Sequence, residues 1–458
     1  MDNDYQKHLN RSQQGFQALQ KVIDFSCSRC GLCAAVCPKQ AITLQETIPT
    51  LTGDCNNCGF CYQACPRSFF PVGKARQRWL GPARGEFEQR VGRCVDHFTS
   101  RALNDEIYEK AATGGTTTAL LHYLLEKKIV DAVLHLESIH QDCFICHHAR
   151  TRVSLTPDQA LIGTGSKNQV TPILNDLKKV AGYTSFAVVG LSCHVEGLRK
   201  LQIIKEDPEL RNLFKGVAKI ADRLIGGLKF VIGINCFSAT KYGGIDKIYD
   251  HFKVREADVI KYAEDTKKSL YQVLNEGKTF SWFVQDNIMT RQGDFYTFHY
   301  VDFLDAVIPM GCMVCPSYIV SRLADVSIGV TAAETKLKEF GYNSVFVRHP
   351  DLKTVLDRMA AENRLLKRPM LDNKGKLLRK FVEKVIPAKD LMNFEAYVRT
   401  GQWSPSEKLQ RGTGSAQSGA ILGLQRLFLA QTVKKKLMYG PAVKALERAG
   451  KHTTDYVD

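Results

Sequence analysis

The sequence predicts an α/β protein. A small cysteine-rich module stands in front, a larger sheet-and-helix domain follows, and a helical, basic extension ends the chain. Three observations carry this. Residues 27–66 hold one cysteine pattern twice. From about residue 100, continuous apolar runs alternate with helix-period segments, as strands buried on both faces of a largely parallel sheet do. Beyond about residue 370 the chain turns polar and basic.

Composition narrows the classes. The 458 residues allow two to four domains at about 150 residues each. Hydrophobic residues at 44% and charged residues at 24% are near globular averages and exclude general disorder. No apolar run approaches the ~18 residues of a membrane-spanning helix. The start, MDNDYQKHLNRSQQ, is polar and does not read as a signal peptide, so a cytoplasmic location is expected. Fifteen cysteines in such a chain point to metal or redox chemistry. The charge of +16 fits nucleic acid, an anionic membrane surface or an acidic partner. Nucleic acid is set aside because no module that binds it is present.

Taken in order, residues 1–75 form the cysteine module. Residues 71–93, rich in Gly, Pro and Arg, read as a connector. The larger domain is expected in two parts, 76–180 and 181–370. DEIYEKAATGGTTTALLHYLLEKK reads as helix, glycine turn, helix, and IVDAVLHL as a strand. NQVTPILNDLKKV reads as a helix, SFAVVGL as a buried strand running into the helix SCHVEGLRKLQ, and LKFVIGINCF as another strand. LADVSIGV and YNSVFVR add two strands, and residues 351–400 look helical and polar. The extension, 371–458, holds a Gly/Ser linker at 411–419 and then an amphipathic segment. From Ile421 to Lys451 that segment has seven Lys/Arg against one Glu, so it is expected to meet an acidic partner or the cytoplasmic face of a membrane, or equally to pack on its own domain.

The two repeats are Cys27-x2-Cys30-x2-Cys33-x3-Cys37-Pro38 and Cys55-x2-Cys58-x2-Cys61-x3-Cys65-Pro66. Both match the bacterial dicluster ferredoxin run. Three thiolates on a tight loop reach one 4Fe–4S cubane, and the fourth, before proline, ligates the other. Cys27, Cys30, Cys33 and Cys65 are therefore assigned to one cluster, and Cys55, Cys58, Cys61 and Cys37 to the second. A pair of zinc sites is the rival reading, and it leaves the doubled period and both prolines unexplained.

A third constellation is expected from Cys193, Cys236, Cys312 and Cys315. The first two follow buried strands, whose carboxyl ends converge on the ligand crevice of such sheets. The C-x2-C loop supplies two more ligands to a third 4Fe–4S cluster. The bland alternative is that Cys193 and Cys236 are small buried residues. Thr113-Gly114-Gly115-Thr116-Thr117 opens an apolar helix, and Gly165-Ser166-Lys167 forms a second small loop with a cation. Such turns hold anions, and two of them suit the pyrophosphate of FAD.

Downstream of the repeats, over roughly 95–350, the chain resembles the beta subunits of the coenzyme F(420) hydrogenase/dehydrogenase family. The resemblance rests on ATGGTTTALLHYLLEKKIVDAVL, GTGSKNQVTPIL, FAVVGLSCHVEGLRKL, GINCF, and GCMVC followed by LADVSIGV. It implies a flavin and iron–sulfur protein that moves electrons between clusters and a two-electron carrier through FAD. It assigns both small loops, with Asn235, to the flavin. Coenzyme F(420) is the expected carrier, and a redox partner protein or larger electron-transfer complex is the expected partner. The alternatives are a ferredoxin-dependent reductase of an organic substrate such as a tetrapyrrole, or a non-catalytic electron-relay subunit.

Other residues carry weaker signals. Cys143-x2-Cys146-His147 spells a haem attachment motif, which is rejected for a cytoplasmic chain; an auxiliary zinc site with His147 or His148 is a minor alternative. Cys94 is expected to pack. His194 is a candidate proton donor whose plainer role is a hydrogen bond at a helix start. No catalytic residue is assigned.

Overall fold

The computed structural model describes residues 3–370, except 83–87, 89–90, 112, 139–148, 166, 168, 237–238, 256–258, 263–284, 291–294, 300–308, 314–319 and 331–340. Cys143, Cys146, His147, His148, Ser166, Cys315 and the basic extension lie outside the described residues.

The cysteine module comprises α1 (Asn3–Ser12), α2 (Phe16–Ser26), α3 (Leu32–Ala35), the hairpin β1 (Ile42–Gln45) and β2 (Ile48–Leu51), and α4 (Phe60–Ala64). The two repeats fold alike. Arg29 and Asn57, at matching positions, have φ of 57° and 55°, and the next glycines, Gly31 and Gly59, have φ of 85° and 71°. These left-handed residues curl each loop so that its thiols point inward before the short helix begins.

The larger domain holds β3 (Asp96–Ala102), α5 (Thr116–Glu126), β4 (Ala132–Ser138), β5 (Ala149–Ser154) and a 3-10 helix over Ile173–Lys179. It continues through β6 (Phe186–Leu191), α6 (Ser192–Glu206), α7 (Lys215–Leu224) and β7 (Leu228–Ile234). A separate three-stranded antiparallel sheet is made of β8 (Val259–Tyr262), β9 (Gln285–Thr290) and β10 (Phe295–His299). Then come α8 (Met310–Met313), β11 (Val326–Val330), β12 (Asn343–Val347), α9 (Pro350–Ala361) and β13 (Leu365–Pro369).

One eight-stranded sheet runs β13-β3-β12-β11-β7-β6-β4-β5. Only its centre, β4-β6-β7-β11, is parallel, and the pairs toward both edges are antiparallel. The sheet is therefore mixed rather than largely parallel. The parallel strands are the continuous apolar runs, and their residues alternate between two cores. Leu134, Phe186, Val188 and Val231 face one core, while Val133, Ala187, Val189, Phe230 and Ile232 face the other. Helices cover both faces, which is why neither face of these strands is polar.

The first core is shared with the cysteine module. Leu32, Tyr62 and Phe69 lie in the same cluster as Leu174, Leu198 and Phe214. The 71–93 segment contributes as well, because Ala75 and Leu80 are buried there, so part of the expected connector is packed. Residues 365–369, read as helical, form β13, whose backbone pairs antiparallel with β3. Edge pairing can override a polar pattern because the ladder uses backbone groups. Among the described residues no helix is long and apolar enough to cross a membrane.

Candidate functional site

The structure brings the repeat cysteines together as two crossed quartets. Burial pushes the Cys27 thiol up to about 12 and Cys30 up to about 11, and Cys65 adds to both shifts. Cys33 is raised well above its usual value by burial, with Cys27, Cys30, Cys65 and, from the second set, Cys61 contributing. Burial also pushes Cys61 up to about 12, and its thiol neighbours are Cys58, Cys37 and Cys55. Those four line a single cavity together with Phe16, Ile42 and Leu51. Buried thiols crowded in this way are costly to ionise unless a cationic iron core compensates them.

Backbone donors are already aimed at the sulfurs. The Arg29 N–H donates to Cys27 Sγ at 3.3 Å, its counterpart Asn57 N–H to Cys55 Sγ at 3.4 Å, and Ala41 N–H to Cys37 Sγ at 3.3 Å. Such bonds favour the thiolate form, as cluster ligands require. The residues thus fit two cubanes in the crossed pairing.

The third constellation is seen in part. Cys193 and Cys236 follow paired strand ends, Leu191 opposite Ile234, at the carboxyl edge of the parallel centre. Cys312 lies on α8, which packs on α2 through Gly311. A side chain at Gly311 would collide with the Cys27 carbonyl, so α8 approaches the first repeat backbone to backbone. Arg29 feels both Cys27 and Cys312 electrostatically and so lies near both.

At the same sheet edge the TGGTT turn is tied to its own protein. Thr116 N–H donates to Asn343 Oδ1 at 3.1 Å, Asn343 Nδ2 donates to Thr113 Oγ1, and the Thr116 and Ser100 hydroxyls bond at 2.7 Å. Gly114 has no room for a side chain, because a Cβ there would meet Ser100 O at 2.6 Å. In the second loop, the Lys167 ammonium donates to the Gly165 carbonyl at 2.8 Å and also to that of Gly163. Asn235 Nδ2 donates to Ser344 Oγ at 3.3 Å, while Asn235 Oδ1 is buried with no hydrogen-bond partner. An orphaned polar atom at the carboxyl edge suits a crevice that receives a ligand.

His194 takes the plainer of its two roles on one side: its Nδ1 accepts from Leu191 N–H at 3.1 Å. Its Nε2 lies beside the Thr171 backbone without a full hydrogen bond, and burial pulls the ring down to about 4, which keeps it neutral. Cys94 Sγ donates to the Gly92 carbonyl at 3.4 Å.

Several residues of the site carried no sequence signal. Asn343, Arg29, the Arg67–Glu196 pair at 3.6 Å and the fully buried Lys200 are placed by tertiary packing. The only hint was Glu196 and Lys200 at i, i+4 on a helix that also carries Gly197.

Residues 97–178 match the coenzyme F(420) hydrogenase/dehydrogenase beta subunit N-terminal family, residues 183–372 match its C-terminal family, and residues 26–68 match a 4Fe–4S dicluster domain. A coenzyme F(420) hydrogenase subunit beta from Methanococcus voltae is 26% identical over 267 residues, 57% of this chain and 80% of that one. A coenzyme F(420)-dependent sulfite reductase from Methanocaldococcus jannaschii is 24% identical over 72% of this chain, which spans only 45% of that longer protein. In solved structures, a chain of the F(420)-reducing NiFe hydrogenase complex from Methanosarcina barkeri superposes with a TM-score of 0.52 at 21% identity, covering 69% of this chain and 94% of that one, and so shares the fold. With both halves of its larger domain and the cysteine module matched in order, the chain belongs to the coenzyme F(420) hydrogenase/dehydrogenase beta subunit family, carrying a 4Fe–4S dicluster domain at its front.

Proposed function

We propose that this chain is an F(420)-linked electron-transfer oxidoreductase working in the cytoplasm within a larger complex, with two 4Fe–4S clusters in its front module, a third on Cys193, Cys236, Cys312 and Cys315, and FAD at the carboxyl edge of the sheet. When bound, the clusters supply one-electron steps and the flavin supplies hydride exchange with a two-electron carrier. The observation that carries the reading is the contact between Gly311 and the Cys27 carbonyl, which sets Cys312 beside the first quartet.

The chain's own residues have distinct tasks in this reading. The crossed quartets fix two clusters side by side. Cys55 and Cys58 are half-buried and line one cavity with the exposed Leu51, a face open to a partner. Asn235 Oδ1 is left to bind the flavin, and the neutral His194 keeps a cationic ring out of the crevice.

A second reading, the relay subunit without flavin, is favoured by one specific observation. Thr116 and Lys167, two of the residues assigned to FAD, already spend side-chain donors within the protein, and Thr113 Oγ1 is engaged as an acceptor from Asn343 Nδ2. One experiment separates the readings. Cofactor is released by acid and identified by chromatography, and the holoprotein is then mixed anaerobically with reduced F(420) or reduced ferredoxin. FAD that bleaches with reduced F(420) is the expected result. Bleaching by ferredoxin alone would point to the organic-substrate reductase, and absence of flavin would leave the relay.

A further inference from the structure

The first quartet lies on the inside of the module, against α6, and α6 brings it a lysine with no counter-ion. Lys200 is fully buried, at 0% exposure. Its Nζ donates to the carbonyls of Cys65 at 2.6 Å and Phe69 at 2.7 Å and to Ser68 Oγ at 3.3 Å. It also sits 3.3 Å from the centroid of the Phe69 ring. Three acceptors match the three N–H donors of an ammonium, whereas a neutral amine would turn its lone pair on one of these oxygens. The ring face adds attraction for a cation. Burial by itself pulls the amine well below its usual range, with the Cys65 sulfur opposing; the three acceptors and the ring face are what assign it the charge.

Among the described residues no carboxylate pairs with Lys200. The neighbouring buried cation is different. Arg67, which acts on Cys30, faces Glu196 at 3.6 Å, so its charge is offset. On the outer quartet, the electrostatic neighbours of Cys61 are the other thiols of its set. Lys39 also lines the outer cavity, but from an exposed position where solvent screens it, whereas Lys200 is fully buried on the inner side, where Arg29 also acts on Cys27.

We propose that Lys200 holds an ammonium against the inner cluster, that of Cys27, Cys30, Cys33 and Cys65, and makes it the easier of the two ferredoxin clusters to reduce. The inference rests on the dicluster assignment and is independent of the flavin. Reduction adds one electron and so one negative charge to the cluster, and a fixed cation in a low-dielectric interior stabilises that added charge. Net charge, hydrogen bonding to the ligands and exposure are the terms that set such potentials. Lys200 acts through the cluster by position, taking no part in bond making.

The test uses the full chain, reconstituted anaerobically, titrated with dithionite and followed by electron paramagnetic resonance. Lys200→Met keeps the length of the side chain and removes the charge. Expected is a downward shift of the higher-potential ferredoxin wave by at least tenfold in its reduced-to-oxidised ratio, about 59 mV for one electron, with the lower wave in place and iron content unchanged. Glu196→Gln, which unmasks Arg67, is expected to move the same wave upward. An immobile higher wave, equal movement of both waves, or a shift of opposite sign would overturn the proposal. Should Lys200→Met fail to load iron, Lys200→Gln, neutral but able to donate to the Cys65 and Phe69 carbonyls, is titrated in its place, a downward shift of the higher wave alone supporting the proposal and an unmoved higher wave refuting it.

Discussion

Gly31→Ala probes how the cysteine module is held. Gly31 has φ +85°, and a Cβ there would meet Pro172 O at 2.7 Å, Pro172 Cβ at 2.8 Å and Asn175 N at 2.9 Å. Two of these atoms are backbone, so no rotamer change relieves the clash. Forcing alanine into a left-handed conformation costs about 1–2 kcal/mol. Overpacking against a fixed backbone adds about 1–3 kcal/mol. Together the substitution should cost about 2–5 kcal/mol, carried at the seam between module and sheet domain. The Leu174 N–H, which donates to Cys30 O at 3.0 Å across that seam, is the reporter. Its hydrogen exchange should accelerate at least ~30-fold, since every 1.4 kcal/mol is tenfold. Gly73→Ala is the control, because nothing lies within 4 Å of a Cβ there and its helix should gain up to about 1 kcal/mol. Unchanged exchange at Leu174 in Gly31→Ala would refute the claim that this glycine docks the module.

Three further outcomes are expected. Cys312→Ala combined with Cys315→Ala should lower iron from about twelve to about eight per chain after reconstitution, and an unchanged iron count would remove the third cluster. His135, 2% exposed, is held down to about 4 by burial first and by Lys167 second. Its unfolded form takes up a proton below about 6.5 and the folded form does not until about 4, so its stabilisation is full above 6.5 and is lost as pH falls toward 4. The loss is at most about 3 kcal/mol, and His135→Gln should flatten the stability profile in that window; parallel profiles would refute this. Asn343→Ala strands the Thr116 N–H and should cost about 1–3 kcal/mol, read as faster exchange of that amide.

Legibility in the sequence followed the range of the interaction. The cysteine loops are local, so spacing alone marked out the two runs that match a 4Fe–4S dicluster domain. The strands β4, β6, β7 and β11 are buried on both faces and announce themselves as apolar runs. The edge strand β13, LLKRP, looks like surface because its contribution is a backbone ladder with β3. Asn343 reads as an ordinary strand residue, and its bond to the α5 start spans 227 positions. Lys200 reads as the solvent side of an amphipathic helix, since only the docked module turns that side inward. Gly114 reads in sequence as part of an anion-holding turn, whereas in the structure it closes against strand β3.

The shared core has a mechanical consequence. Leu32 lies over Gly197, Phe60 over Gly216, and the Phe69 and Phe214 rings stand 5.5 Å apart. Exposing such side chains costs roughly 1.5–3 kcal/mol each, so separating the module would cost on the order of 5 kcal/mol and leave fewer than about one molecule in a thousand undocked. The module is therefore a fixed conduit and not a tethered shuttle. Solvent viscosity should slow the meeting of this chain with its partner and leave transfer inside it untouched.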